Sequence, residues 1–292
     1  MPDDSPHLVD LDRLCLRRLC QLGLKPDHFF DVGASTGRWS VQVAKDFPEA
    51  RFDLFEPLAD HVPGYREKLE AALLQHPCFL LHKVALGPES KSTLMYIPDH
   101  PVGSTALNLG PNVAKGWERW EVDMLTLDQL VLGRGMPTPQ VIKIDTQGCE
   151  LGILQGARQI LPQVSVLFLE CWLARAYGQQ TPLYLEIANW LRDFGFHLWD
   201  LGGCWRDAEN VLISQDCVFL NARSKLSRLH CEHCRLAAGV QNDVAGPSSA
   251  QKPLSHRPDQ HNAGQHCNGS MILPTTGLHR LWNKLWKGRS NN

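Results

Sequence analysis

The chain has 292 residues and a formal net charge of −2, with 43% hydrophobic and 21% charged residues, a composition typical of soluble globular proteins. The net charge does not favour nucleic-acid binding, and no apolar stretch approaches the roughly 18–20 residues of a membrane span. The acidic start at residues 1–4 lacks the features of a signal peptide, so we expect a cytoplasmic protein whose ten cysteines are thiols.

The predicted elements alternate between short apolar runs and amphipathic segments, which favours a parallel sheet connected by helices. A leading helical segment occupies residues 1–27, with apolar residues at helical spacing over 11–22. Strands are predicted over 28–32, 51–56, 78–86, 141–146, 165–171, 196–201 and 216–221, and helices over 38–47, 61–76, 150–161 and 183–194. Residues 90–125 interrupt the alternation, and their glycines and short polar runs predict a long loop.

The first predicted strand enters a glycine turn, Asp31-Val-Gly-Ala-Ser-Thr-Gly37, that precedes a helix, an arrangement typical of nucleotide-binding folds. The turn lacks the third glycine of the dinucleotide fingerprint and the lysine of a phosphate-binding loop. These differences favour a ligand with an adenosine part and no phosphates, S-adenosylmethionine. Glu56 ends the second predicted strand, where its carboxylate can accept hydrogen bonds from both ribose hydroxyls. The alternative is a tight turn without a ligand.

Asp145 ends the fourth predicted strand, Val141-Ile-Lys-Ile-Asp145. In an open α/β sheet, ligands bind beyond the carboxyl ends of the strands, where the strand order reverses. We therefore expect Asp145 to lie across a cleft from Gly33. A role as the N-cap of the following helix is the alternative.

Seven short motifs occur in one order over residues 28–222: Asp-Val-Gly-Ala-x-x-Gly at 31–37, Phe-Glu-Pro at 55–57, Val-Ala-Leu-Gly at 84–87, Gly-Ser-Thr at 103–105, Thr-Leu-Asp at 126–128, Ile-Lys-Ile-Asp at 142–145 and Leu-Glu at 169–170. With these motifs the chain resembles the FkbM-type family of S-adenosylmethionine-dependent methyltransferases. The resemblance implies an α/β, Rossmann-like class I methyltransferase domain over 28–222. Its sheet would be mostly parallel and seven-stranded, with a reversed last strand and helices on both faces.

The resemblance also implies methylation of a hydroxyl oxygen, which we expect on a sugar, a glycan or a secondary metabolite. Two positions depart from the family pattern, which often has Asn at position 35 and Glu at position 147, where this chain has Ser35 and Gln147. The second departure removes a carboxylate beside Asp145. We therefore expect no metal.

Site residues follow from the motifs and from their predicted positions. The resemblance places Asp31, Gly33 and Gly37 at the methionine end of the cofactor, Glu56 at the ribose and Val84 with Ala85 near the adenine. The full set of predicted cofactor-binding residues is Asp31, Gly33, Ala34, Ser35, Gly37, Glu56, Pro57, Val84, Ala85 and Asp145.

For the acceptor side, Asp145 is the first candidate general base and Glu170, which ends the fifth predicted strand, is the second. We predict that residues 103–109 form an acceptor lid and that Ser104, Thr105 and Trp172 contact the acceptor. His82 and His100 are weaker candidates for a proton-transfer role. Two other classes stay open: a binding or scaffold protein on an inactive methyltransferase fold, and an NAD-dependent oxidoreductase, which the missing third glycine disfavours.

The tail from residue 223 is basic, with 10 Lys+Arg against 3 Asp+Glu, and residues 223–277 are predicted to be a low-complexity, disordered segment. The cysteines of Cys231-Glu-His-Cys234 and the pair His266-Cys267 are zinc-ligand types, but they are separated by low-complexity sequence, so free thiols are favoured. Residues 278–287 predict a short basic amphipathic helix, with three Leu and two Trp on one face and three basic residues on the other. We expect this helix to contact an anionic membrane surface or another protein, with docking on the acidic body as the alternative.

Deletion of residues 239–292 is expected to leave the affinity for S-adenosylmethionine unchanged, because the methyltransferase pattern ends before residue 222. The deletion should lower binding to anionic vesicles, since it removes the basic amphipathic segment. Calorimetry and vesicle co-sedimentation measure the two effects. A truncated chain that loses cofactor affinity would show that the tail belongs to the domain.

Overall fold

The computed structural model describes residues 6–109, 114–224 and 226. The predicted disordered segment, the zinc-type residues at 231–267 and the predicted helix at 278–287 lie outside the described residues. In the described part of the chain, no helix has the length and apolar content that a membrane crossing requires.

Ten strands and five α-helices make up the described regular structure. The strands are β1 (His28–Val32), β2 (Arg51–Phe55), β3 (Phe79–His82), β4 (Ala85–Leu86), β5 (Lys91–Ile97), β6 (Glu118–Leu125), β7 (Val141–Ile144), β8 (Val166–Trp172), β9 (Phe196–Arg206) and β10 (Leu212–Asn221). The helices are α1 (Pro6–Gln21), α2 (Arg38–Ala44), α3 (Tyr65–Gln75), α4 (Glu150–Gln155) and α5 (Tyr184–Asp193). Single 3-10 turns occupy Pro101–Gly103 and Leu161–Gln163, and a π turn occupies Gln129–Gly133.

Seven strands form the main sheet in the order β3-β2-β1-β7-β8-β10-β9. Five neighbouring strands of this sheet run parallel to one another: β3, β2, β1, β7 and β8. Strand β10 is antiparallel to both β8 and β9. The predicted mostly parallel seven-stranded sheet with a reversed last strand is therefore confirmed. The strand order reverses between β1 and β7, which places the ligand-binding position of such sheets at the carboxyl ends of these two strands.

Helices cover both faces of this sheet. Because the side chains of a strand alternate between its two faces, neighbouring residues of one strand contribute to different cores. Phe29 contributes to a core with α1, α2 and α3, whereas its neighbour Phe30 contributes to a core with α4 and α5. Every residue of β8 is buried, as expected of a central strand that is covered on both sides.

The prediction of a long loop over 90–125 is wrong at both ends of this range, because β5 and β6 form an antiparallel pair there. Together with β4 they form a second, three-stranded sheet in the order β4-β6-β5. In β6, the buried Val122 and Met124 alternate with exposed residues, a strand pattern that the predicted loop overlooked. The irregular connection is confined to residues between Ile97 and Glu118.

Two further boundaries differ from the prediction. The strand predicted over 78–86 divides into β3 in the main sheet and β4 in the second sheet, so the chain changes sheets at residues 83–84. The helix predicted over 150–161 ends at Gln155. At the next residue, Gly156, an added Cβ would stand 2.1 Å from the Gly87 carbonyl oxygen, so only a glycine allows this close approach.

A buried carboxylate ties β1, β2 and β3 together on one face of the sheet. Asp53 is fully buried, and His28, His82 and Arg51 all contact its carboxylate. Burial alone would raise the pKa of Asp53, but the hydrogen bonds from these three side chains outweigh burial and hold the pKa below its usual range.

Asp53→Asn should lower the free energy of unfolding by roughly 3–5 kcal/mol, because it leaves buried partners of the carboxylate without their counter-charge. Asp60→Asn is the matched control, since Asp60 is paired with Lys83 and Arg66 at the surface. The control should change the free energy by less than about 1 kcal/mol. Denaturant unfolding of both variants measures the difference, and equal effects would contradict a structural role for the Asp53 cluster.

Candidate active site

A cleft with a cavity volume of about 100 Å³ lies at the carboxyl ends of β1, β2 and β7. The main sheet forms its floor, and the second sheet and the β5–β6 connection form one wall. The lining residues are Val32, Gly33, Ser35, Phe55, Glu56, Pro57, Leu58, Tyr65, Val84, Ala85, Leu86, Met95, Pro101, Val102, Ser104, Ala106, Asp145, Thr146, Gln147 and Cys149.

Gly33 sets the distance between the two strands at the base of the cleft. Its φ is +77°, and an added Cβ would stand 2.0 Å from the Asp145 carbonyl oxygen. Any side chain at this position would therefore separate the ends of β1 and β7, and only glycine permits both the conformation and the approach.

Ser35 continues the turn with a φ of 52°, which is an uncommon conformation for a residue with a side chain. In this conformation the backbone N–H of Ser35 donates a hydrogen bond of 2.7 Å to one carboxylate oxygen of Glu56. The other oxygen accepts a hydrogen bond of 2.9 Å from the N–H of Leu58. The glycine turn thus positions the acidic side chain at the end of β2.

Glu56 is an ionisable group at the floor of a mainly apolar cleft. Its side chain is buried, and burial together with the nearby charge of Asp31 raises its pKa to about 7, although the two backbone hydrogen bonds act in the opposite direction. Each oxygen accepts only one of these bonds and retains a second acceptor position. Glu56 can therefore accept two more hydrogen bonds from a ligand with neighbouring hydroxyls.

The walls next to Glu56 are apolar. Val84, Ala85 and Leu86 form one side, and Met95 from β5 extends it. Tyr65, the first residue of α3, also lines the cleft, and burial raises the pKa of its hydroxyl to about 12, so the phenol stays protonated at neutral pH. The cleft therefore offers an apolar surface beside a carboxylate.

Lys143 on β7 does not line the cleft but lies within 3.5 Å of the Gly33 carbonyl oxygen. Its ammonium nitrogen is 3.2 Å from a carboxylate oxygen of Asp31 and 3.7 Å from one of Asp145. Burial acts to lower the pKa of Lys143, but the two carboxylates outweigh it and raise the pKa above its usual value. Asp31 itself is fully buried, and its other oxygen accepts a hydrogen bond from the Ser40 hydroxyl.

Gln147 connects the two candidate bases. Its amide nitrogen donates to Asp145 and to Glu170, both at 2.9 Å, and its amide oxygen accepts a hydrogen bond of 2.7 Å from the Tyr177 hydroxyl. Gln147 is buried and has a φ of 58°, so the backbone turn directs the amide between the two carboxylates. One neutral amide thus bridges the two carboxylates.

Glu170 does not line the cleft. It is buried, and its second oxygen accepts a hydrogen bond of 2.9 Å from the Ser214 hydroxyl on β10. Asp145, in contrast, lines the cleft, and 41% of its side chain is exposed. Of the two candidate bases, only Asp145 lines the cleft, whereas Glu170 is hydrogen-bonded to Gln147 outside it.

The connection between β5 and β6 forms the mouth of the cleft. We call residues 101–106 the mouth segment, because Pro101, Val102, Ser104 and Ala106 all line the cleft. The Tyr177 hydroxyl is 3.2 Å from the Gly103 carbonyl oxygen, which links this segment to the Gln147 network. The lid predicted over 103–109 thus overlaps the mouth segment.

The predicted site residues divide into two groups. Those that line the cleft are Gly33, Ser35, Glu56, Pro57, Val84, Ala85, Ser104 and Asp145. Those that do not line it are Asp31, Ala34, Gly37, Thr105, Glu170 and Trp172.

The residues outside the cleft have other surroundings. Gly37 is the N-cap residue before α2 and lies close to the core side chains Leu54 and Leu69. Thr105 is fully buried, and its hydroxyl oxygen accepts a hydrogen bond from the N–H of Leu107. Trp172 is buried in an aromatic cluster. The predicted acceptor contacts of Thr105 and Trp172 are therefore not supported by their positions.

Sequence reasoning did not single out Lys143, Tyr65 or Tyr177, and it noted Gln147 only as a departure from the family pattern. Two of them carried a usable signal. Lys143 is a charged residue within an apolar strand, two residues before Asp145 and therefore on the same face of that strand. Tyr65 begins a helix after a left-handed glycine, Gly64, but the fold is needed to bring Tyr65 to the cleft. Nothing in the sequence indicates that Tyr177 reaches Gln147.

The strand order of the main sheet, its reversed strand β10 and the glycine turn after β1 define the Rossmann-like class of methyltransferases. A family model described as the methyltransferase FkbM domain matches residues 31–198, which is more than half of the chain. The chain belongs to the FkbM methyltransferase family. Among the described residues, no group of three or more His, Cys, Asp or Glu side chains is arranged to hold a metal ion.

Solved structures with a similar fold are distant in sequence. An FkbM methyltransferase from Methylobacillus flagellatus is 16% identical with a TM-score of 0.43, over 66% of this chain and 43% of that protein, so this chain spans less than half of its length. The N-methyltransferase NodS from Bradyrhizobium japonicum is 9% identical with a TM-score of 0.41, over 75% of this chain and 99% of NodS.

A Streptococcus pneumoniae protein assigned as a tRNA (m1A22) methyltransferase, in complex with S-adenosyl-L-methionine, is 14% identical with a TM-score of 0.34. The match covers 73% of this chain and 77% of that protein. No match was found among curated proteins.

Gln147→Glu should destabilise the protein at neutral pH, because it places a third carboxylate against Asp145 and Glu170. Burial and like charge raise the folded-state pKa of the new glutamate above its unfolded value of about 4.3. The penalty is therefore absent below that unfolded pKa and grows as the pH rises towards the folded pKa. Thermal unfolding at pH 5 and pH 7.5 measures this trend, with the exposed Gln163→Glu as control. A pH-independent loss would contradict the charge argument.

Proposed function

We propose that this chain is an S-adenosylmethionine-dependent methyltransferase that methylates a hydroxyl oxygen of a small molecule or a glycan. The observation that carries the proposal is the buried Glu56 carboxylate, which the glycine turn holds at the floor of an apolar cleft. Membership of the FkbM methyltransferase family supports the reaction class. The assignment of a hydroxyl acceptor on a small molecule or a glycan is our extension of this reaction class.

The residues of the cleft fit this cofactor. The spare acceptor positions of Glu56 match two ribose hydroxyls, and Val84, Ala85 and Leu86 offer an apolar surface to an adenine ring. At the opposite end, the exposed part of Asp145 can accept a hydrogen bond from the α-ammonium group. When bound there, S-adenosylmethionine supplies a methyl group on a positively charged sulfur.

Methyl transfer breaks a carbon–sulfur bond and forms a carbon–oxygen bond in line with it. The residues of the cleft must therefore hold the acceptor oxygen on the axis of the methyl group and exclude water. The mouth segment is positioned for this task, since it covers the cleft beside Asp145 and carries the hydroxyl of Ser104. The hydroxyl proton of the acceptor passes to Asp145, which Gln147 orients through one of its oxygens. No step of this scheme requires a metal ion.

A small molecule or a glycan is the acceptor class that we favour over nucleic acid. The first 222 residues carry 19 Lys+Arg against 28 Asp+Glu, and this excess of negative charge opposes the phosphate contacts of nucleic-acid binding. We also retain as a proposal that residues 278–287 contact a membrane surface or another protein.

A binding or scaffold protein on this fold is the second candidate function. The Gln147 network favours it, because one amide engages both Asp145 and Glu170 and leaves neither as an unbonded base. Binding of S-adenosylmethionine is compatible with both candidates. Turnover of any acceptor, detected by mass spectrometry after incubation with labelled cofactor and cell extract, would exclude the scaffold.

Binding of S-adenosylmethionine should strengthen as the pH rises through about 7 and should release a proton at pH 6.5. Ribose hydroxyls donate to the ionised form of Glu56, whose pKa in the free protein is about 7, so binding lowers that pKa. Glu56→Gln should abolish the proton release and weaken binding about ten- to a hundredfold. Calorimetry in buffers of different ionisation enthalpy measures both effects.

Glu150→Gln is the matched control for this experiment. Glu150 is also fully buried, with a pKa raised to about 7 by burial, but it does not line the cleft. This variant should keep the proton release and the affinity of the wild type. Equal affinities in wild type and Glu56→Gln would contradict the ribose assignment.

Asp145→Asn should lower the turnover of the identified acceptor at least about 100-fold, because the amide cannot take up the hydroxyl proton. The affinity for S-adenosylmethionine should change less than the turnover. The exposed Asp123→Asn on β6 serves as the control and should retain full activity. A near-normal rate in Asp145→Asn would show that this residue is not the base.

A further inference from the structure

A second cavity adjoins the cleft at the mouth segment. It has a volume of about 260 Å³, and we call it the outer cavity; its lining residues are His61, Val62, Pro63, Ile97, Pro98, Asp99, Pro101, Gly116 and Glu118. Pro101, the first residue of the mouth segment, lines both the outer cavity and the cleft. The outer cavity therefore begins at the segment that we have placed beside the acceptor.

One face of the second sheet is shared by the cleft and the outer cavity. Met95 and Ile97 are two residues apart on β5, so their side chains point to the same face. Glu118 is the partner of Ile97 on β6 and shares that face. Met95 lines the cleft, whereas Ile97 and Glu118 line the outer cavity. A molecule that extends from the cleft along this face therefore reaches the outer cavity.

Two contacts fix the position of His61 in the outer cavity. Its ring stacks on the Trp120 indole with 4.0 Å between the ring centroids, and its Nε2 is 2.8 Å from one carboxylate oxygen of Glu118. When Nε2 carries the proton of this hydrogen bond, Nδ1 is an acceptor. The Glu118 side chain is 59% exposed, and its second oxygen has no hydrogen-bond partner among the described residues. This carboxylate can therefore accept a hydrogen bond from a ligand.

The outer cavity offers mainly hydrogen-bond acceptors. Asp99 is exposed, and within the described part of the chain no side chain pairs with it. Three of the nine lining residues are prolines, which lack a backbone N–H, and the described lining contains no lysine or arginine. A ligand must therefore supply hydrogen-bond donors, and it must not be anionic, because Asp99 and Glu118 repel negative charge.

The remaining surface of the outer cavity is apolar and is held in shape. Val62, Ile97 and the three proline rings provide this surface, and the fixed φ of proline limits its movement before a ligand binds. The volume is well above the roughly 30 Å³ of one water molecule, so the space can admit a ring. A sugar ring combines hydroxyl donors at its edge with C–H groups on its faces and so matches both kinds of surface.

We propose that the outer cavity is an acceptor subsite, which holds a sugar unit without anionic groups next to the unit whose hydroxyl enters the cleft. The inference rests on the proposed function, because it assigns the part of the acceptor that is not methylated. It narrows the acceptor to a glycoside or glycan of at least two units. A unit that carries a carboxylate or a phosphate at this position is rejected by the two acids.

The experiment measures the dissociation constants of sugars by saturation-transfer NMR, with the full chain loaded with S-adenosylhomocysteine. The neutral probes are maltose, cellobiose, lactose and N,N′-diacetylchitobiose, the single-unit probe is glucose, and the anionic probe is cellobiouronic acid. At least one neutral disaccharide should bind about tenfold more tightly than both glucose and cellobiouronic acid. The reason is that only this probe fills the second subsite and donates to its carboxylates without charge repulsion.

Variants of the two acids assign this binding to the outer cavity. Asp99→Ala and Glu118→Gln should each weaken the binding of that disaccharide about tenfold. Their affinity for S-adenosylhomocysteine serves as the check on folding, since neither residue lines the cleft. Asp123→Ala is the matched control, because Asp123 is an exposed acid on β6 that does not line the outer cavity. This control should bind the disaccharide like the wild type.

Three results would overturn the inference. They are a set of neutral disaccharides that binds no more tightly than glucose, an equally tight binding of cellobiouronic acid, or wild-type disaccharide affinity in both Asp99→Ala and Glu118→Gln. Any of these results in a chain that binds S-adenosylhomocysteine contradicts the subsite alone. A chain that does not bind S-adenosylhomocysteine contradicts the proposed function itself.

Discussion

The contact between the ends of β1 and β7 is the constraint on which the site depends. An added Cβ at Gly33 would stand 2.0 Å from the Asp145 carbonyl oxygen, so the cleft exists in this form only with glycine there. This approach brings Asp145 next to the turn that positions Glu56 through the Ser35 amide. One backbone contact thus fixes the relative positions of the two acids at opposite ends of the proposed cofactor site.

Much of the main sheet could be predicted from the sequence, because apolar runs and glycine turns are local signals. Asp31, Gly33 and Glu56 were predicted from the glycine turn and the strand ends, and of these three Gly33 and Glu56 line the cleft. The second sheet was missed because β4 has only two residues, Ala85–Leu86, and pairs with a strand that begins more than 30 residues later along the chain. Such pairing depends on tertiary contacts that no local pattern records.

The acceptor side of the site was the least predictable part. The hydrogen bonds of Gln147 could not be predicted, because only the fold brings Asp145, Glu170 and Tyr177 to its amide. Trp172 has the composition of a pocket wall, but its strand position directs it into an aromatic cluster. Residue type and strand position therefore predicted cleft residues around Gly33 and Glu56, whereas the proposed acceptor side is built from contacts between distant segments.

The second sheet contributes to the cleft in two ways, through its strands and through the connection between β5 and β6. Its strands β4 and β5 contribute to the apolar walls, and the connection between β5 and β6 carries the mouth segment. Insertions and substitutions in that connection leave Gly33, Glu56 and their strands untouched, because loops between paired strands tolerate change far better than sheet cores. The architecture therefore keeps the proposed methyl-donor site structurally separate from the surface connection that would contact an acceptor, so that this connection can be changed without altering the donor site.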